Sequence, residues 1–102
     1  MKDEEIEKLS RRLRERWATQ LFDHGDCRVE VLNEGGIKYM DPSRTVWVWG
    51  EVLTGDIAYL VESKSMHYWG DKTARVDDAV RREIVSKIEE AFKAHGLSIE
   101  IE

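Results

Sequence analysis

The sequence predicts an α+β fold: an antiparallel-rich sheet of about five strands, with one helix at the N-terminal end of the chain and another near its C-terminus. Three observations predict it. Residues 3–22 and 77–95 carry apolar side chains at helical spacing, residues 27–63 break into four short β-rich runs, and the last six residues alternate strictly. A length of 102 residues, 41% hydrophobic and with one proline, fits a single domain spanning 1–102.

The first helix is placed within residues 1–25. Ile6, Leu9, Leu13, Trp17 and Leu21 recur three or four residues apart, Asp3 can cap the start, and Gly25 can end it. Trp17 is in phase with that stripe and is expected in the core. The meander over 27–63 is divided by "NEGG", "DPSR" and "TGD". With a three-residue loop at Glu34, Gly35 and Gly36 and a tight turn at Pro42 and Ser43, the residues Val29, Val31, Ile37, Tyr39, Val46 and Val48 share one face. The loop at Thr54 to Asp56 leaves the facing of the fourth strand open. A second helix over 77–95 has Val80, Ile84, Ile88, Ala91 and Phe92 as its stripe, Asp77 as cap, His95 near its negative end and Gly96 beyond. Residues 97–102, "LSIEIE", then form a terminal strand that joins the sheet.

Charge narrows the function. The formal net charge is −5, and the excess is uneven: residues 1–25 hold six acids and six bases, residues 26–102 fifteen acids and ten bases. Phosphate neutralisation needs surplus lysine and arginine, so no nucleic-acid partner is expected, and a basic protein is the better match. The arginines Arg11, Arg12, Arg14 and Arg16 are offset by Glu4, Glu5, Glu7 and Glu15, the pattern of a solvated helix face. With one cysteine, no apolar leader and no membrane-spanning run, a cytoplasmic protein with no membrane partner is expected. Oligomeric state is not encoded in any of these features.

Catalytic and metal chemistry find little support. His24, Asp26 and Cys27 are too few and too loosely spaced for zinc, and Cys27 lacks a local nucleophile signature, so it is read as a buried thiol. The glycine pair lacks the following helix that a phosphate loop requires. No cofactor and no metal are expected. Acidic residues are abundant enough for two to converge, with Glu51 the one to watch, which keeps a small enzyme as an alternative.

Aromatic residues are the more informative signal. In "TVWVWGEVL" the period of two puts Trp47 and Trp49 together on the face opposite Val46 and Val48. The stripe of the first helix is expected to cover them, because two open indoles would form an aggregation-prone patch; left open, that face becomes the preferred interface. In "ESKSMHYWG", Met66, His67, Tyr68 and Trp69 crowd the point where the fourth strand is expected to end. Such a loop either anchors a partner, since Trp, Tyr and Met are enriched at interfaces, or Trp69 plugs the core while Met66 fills a gap.

The ordered runs "GIKYMDPSRTVWVWGEVL", "YLVESKSMHYW" and "RREIVSKIEEAFKAHGLSIEIE" together resemble the immunity protein 74 family of bacterial polymorphic toxin systems, over about residues 36–102. The shared order is a Gly-Ile-x-Tyr strand, a tight turn, a Thr-Val-x-Val-x-Gly-Glu strand, a Ser-x-x-x-Trp segment, and a helix ending in Gly before an Ile-Glu tail. Gly36, Tyr39, Gly50, Glu51, Ser65 and Trp69 are the positions that match. The resemblance implies an antidote that binds a cognate toxin and blocks it without catalysis. The expectation is therefore a toxin inhibitor acting by steric occlusion, anchored by Met66, His67, Tyr68 and Trp69, with Glu51 as polar support and Trp47 and Trp49 as a second candidate surface. A small enzyme using acidic residues and a structural or adaptor subunit are the competing readings.

Overall fold

The computed structural model describes residues 3–33, 35–53, 57–69 and 74–102. In chain order the elements are α1 (Asp3–Glu15), β1 (Ala18–His24), β2 (Cys27–Leu32), β3 (Ile37–Asp41), β4 (Arg44–Val52), β5 (Tyr59–Tyr68), α2 (Asp78–Ala94) and β6 (Ile99–Ile101). The six strands form one sheet in sequence order, antiparallel throughout except for the parallel β5–β6 pair that α2 connects. The fold is thus α+β, a curled mixed sheet with a short helix first and a longer one late in the chain.

The expected first helix is too long. It ends at Glu15, and Ala18–His24 pairs with β2 instead, with a bulge between Ala18 and Gln20. The spacing of Leu13, Trp17 and Leu21 imitates a helical stripe, but Phe22 is the residue that strand β1 buries. Trp17 is 67% exposed and Leu21 is 53% exposed, so the expected core position of Trp17 is wrong. The sheet consequently has six strands where about five were expected.

The valine face forms the main core. Val29 pairs with Tyr39, Ile37 with Val48 and Tyr39 with Val46, so all six residues expected to share a face do so. Ile84, Ile88, Ala91 and Phe92 of α2 pack onto them, and Phe22 meets Phe92 at 4.8 Å between ring centroids. Asp77 caps α2 by accepting the Val80 amide at 3.0 Å, and Gly96 follows with φ +76°. Leu97, just before β6, and Ile99 and Ile101 within it join the same core, as their alternation predicts. The turn at Pro42 and Ser43 is pinned by Asp41, whose carboxylate accepts the Ser43 and Arg44 amides and the Tyr39 hydroxyl. Arg44 ties that turn to Glu83 of α2 at 3.1 Å.

A second knot sets the far end of the sheet. The Tyr59 ring lies across Gly50, and its hydroxyl accepts the Gly36 amide at 3.1 Å. Gly35 and Gly36 hold φ of +103° and +97°, a backbone region that side-chain-bearing residues avoid. Two expected loops fall partly or wholly outside the described residues, at Glu34 and at Thr54 to Asp56.

Candidate partner-binding surface

The face opposite the valines is built by the same alternation. Leu32 and Trp47 are buried there, with Ile6 of α1, Trp49 and Trp69 packed around them. The N-terminal helix therefore reaches the tryptophan face through Ile6; Leu9 and Leu13 lie outside the described side chains. Trp47 is fully buried and Trp49 half-buried, so the face is covered at its centre and open at its margin.

Strand β5 does not end where the sequence suggested. It runs through Tyr68, and three extra residues bulge out opposite Val48, since Trp47 pairs with His67 but Trp49 with Glu62. That shift would orphan the Trp49 amide. Ser65 Oγ accepts it at 2.8 Å and donates its own proton to the Glu62 carbonyl at 2.7 Å. Backbone bonds from Tyr68 to Ala74 and from Val76 to Met66 then fold the following segment back along β5. The bulge returns Met66 to the core, at 1% exposure, and turns His67 inward onto Trp47. The two rings stack at 5.0 Å with 15° between planes, and the His67 Nδ1–H donates to the Ser65 carbonyl at 2.7 Å.

The site residues expected from sequence therefore separate. Met66, His67 and Trp47 are buried, Tyr68 is half-buried against the main core, and Trp49, Trp69 and the exposed Glu51 remain reachable on the second face. Strand alternation puts Trp47, Trp49, Glu51, Glu62 and Glu100 on that one face. Glu102 lies beside Glu62, held by Ser63, whose amide and hydroxyl both donate to its carbonyl at 2.8 and 2.6 Å. Two cations sit over its rings: Lys38 Nζ is 4.6 Å from the Trp69 centroid, and the Arg16 guanidinium is 5.3 Å from that of Trp49. Next to them a cleft of about 410 Å³ is lined by Ile6, Glu62, Lys64, Ser65, His67, Arg75 and Glu102.

Sequence reading missed Leu32, Arg16, Lys38, Glu62, Glu100 and Glu102. The "SIEIE" alternation did show a polar side on the last strand. It gave no sign of which sheet face that side would extend. Trp47 Nε1 is buried without a hydrogen-bond partner among the described residues, an unmet donor that costs about 1–3 kcal/mol.

The other candidate chemistry is quiet. Among the described residues no three His, Cys, Asp or Glu side chains converge to hold a metal ion. Burial, with Asp26 adding to it, raises the Cys27 thiol above its ordinary value, and the thiol donates to the His24 carbonyl at 3.1 Å. That is a protonated, buried group and not an activated nucleophile.

A small α+β protein with a helix against each face of its sheet is the class these features define. The family model described as immunity protein 74 matches residues 28–102, and the chain belongs to that family. It is accordingly an immunity protein of a toxin system. The match starts at Arg28, earlier than the resemblance seen in the sequence, and takes in β2 as well as the later elements; α1 and β1 precede it. Comparison with curated proteins and with solved structures finds no match.

Proposed function

We propose that this protein neutralises a cognate, basic bacterial toxin in the cytoplasm by binding it and covering its working surface, without catalysing a reaction. The observation that carries the reading is family membership over four strands of the antiparallel meander, α2 and the parallel edge, in a chain with a net charge of −5. An acidic inhibitor meeting a basic toxin gains encounter rate from complementary fields, which favours rapid capture of leaked toxin. Half-buried Trp49 and Trp69 supply aromatic area of the kind that dominates binding energy at interfaces.

The enzyme alternative would use the cleft beside α1, where Glu62, Lys64, His67, Arg75 and Glu102 meet. His67 is its natural proton carrier. Yet it is 6% exposed, stacked on Trp47 and tied through Nδ1 to Ser65, an arrangement that serves the bulge better than proton transfer.

Co-expression with the product of the neighbouring reading frame tests the proposal. Rescue from toxicity together with a complex that survives purification is the expected result. Absence of both would remove the antidote reading.

A further inference from the structure

We infer that the partner docks on the β4–β6 half of the tryptophan face, and that this surface takes an arginine-bearing segment, its guanidinium groups meeting Glu62 and Glu102 beside the Trp49 ring. The inference rests on the toxin-binding reading for the identity of the partner, and on the surface itself for the chemistry.

The register builds two adjacent rungs on one face, Glu51–Leu60–Glu100 and Trp49–Glu62, with Glu102 alongside the latter. Among the described residues Glu51, Glu62, Glu100 and Glu102 take part in none of the ion pairs of 4.0 Å or less. Some acids elsewhere are paired, as Asp23 with Arg28, Glu30 with Lys38, Asp41 and Glu83 with Arg44, and Asp26 with Lys87. Arg16 lies over Trp49 and Lys64 and Arg75 line the same cleft, so among the described residues the balance on this half of the face is four carboxylates against three cations. Because no three acids converge on a metal position among the described residues, the charges act as separate anchors spread along a surface.

The rings specify the kind of cation. This chain already lays its own Arg16 over Trp49 and its own Lys38 over Trp69, so the indole faces are oriented to receive positive charge. Arginine fits better than lysine, since its planar guanidinium can stack on an indole while bonding a carboxylate through two N–H groups. The rival acidic surface, Glu89 and Glu90 on α2, borders a cleft with no aromatic ring among its described lining residues.

The test titrates the full chain, isotopically labelled, with a nona-arginine peptide while amide and indole N–H resonances are followed. Shifts should concentrate at residues 49–51, 60–65 and 99–102 and on the Trp49 indole. The E62Q/E102Q variant should weaken binding by roughly fivefold or more, whereas E89Q/E90Q, with the same net charge, should stay within about twofold. E51Q/E100Q provides a second variant with both changes at exposed positions, expected to weaken binding in the same direction. Equal losses for the α2 and sheet variants, shifts centred on Glu89 and Glu90, or no binding would overturn the inference. Binding at this face in a protein that fails to protect cells would uphold the docking chemistry and overturn the toxin reading alone.

Discussion

An alanine at position 50 would place its Cβ 2.5 Å from the Leu60 carbonyl oxygen and against the Tyr59 ring. Neither neighbour can retreat, one being backbone and the other held by Gly36. Gly50→Ala is expected to cost about 2 kcal/mol or more, read as a lowered urea midpoint at unchanged slope. Ser65→Ala should cost about 1–2 kcal/mol in the same assay, because it strands the Trp49 amide at the bulge. Tyr59 makes the alkaline side of stability testable. Burial, against the opposing bond from the Gly36 amide, pushes its hydroxyl from 10.0 up to about 12. Above pH 10 the unfolded chain gives up that proton while the folded one keeps it, so the contribution is complete below pH 10 and is lost as pH rises toward 12. Stability should fall over that window, and Tyr59→Phe should make the fall shallower, leaving the part due to Tyr39, which is raised in the same direction. On the acid side, burial of Asp41 is outweighed by the Tyr39 hydroxyl, the Ser43 amide and Arg44, which hold its carboxyl below the ordinary 3.8; that contribution disappears only as pH drops below this value.

Strand β1 and helix α1 separate what the pattern of residues can reveal from what it cannot. Phe22→Ala should cost about 3 kcal/mol by emptying the contact with Phe92, whereas Trp17→Ala should change stability by under about 0.5 kcal/mol. A continuous helix through Phe22 with Trp17 in its stripe would give the reverse ranking. Most of the sheet and the whole of α2 were legible, because Val29, Ile37, Tyr39 and Val46 alternate with polar residues around a two-residue turn and Asp77 and Gly96 carry capping chemistry. The end of α1 was not. On an edge strand Leu21 stays exposed, so β1 offers no burial contrast to set against the four-residue spacing of Leu13, Trp17 and Leu21. The bulge in β5 was hidden for a different reason: it depends on one serine bridging two strands, and "ESKS" looks like a loop entrance. Hence Met66 and His67 were expected at a surface that only Trp69 and Trp49 partly occupy. Because Ile6 reaches the Trp47 cluster, deletion of residues 1–15 should raise acrylamide quenching of tryptophan emission. Unchanged quenching would show that α1 does not shield that face.

At the scale of the whole molecule, two helices leave one sheet face sealed and the other only partly closed. The valine side is spent on folding, under α2. Among the described residues the tryptophan side keeps an unmet indole donor, two ring-bound cations and carboxylates outside the ion pairs, features that add little to the stability of the chain alone. An acidic body of this kind should capture a basic partner faster at low salt, with the association rate falling as ionic strength shortens the Debye length below about 10 Å. In the proposed function, inhibition is binding and not turnover. This is tested most directly by titrating the activity of the purified toxin with this protein at concentrations well above the dissociation constant. The expected result is a linear loss of activity that ends at about one equivalent and is independent of incubation time. Complete inactivation by a small fraction of an equivalent, progressing with time, would contradict it.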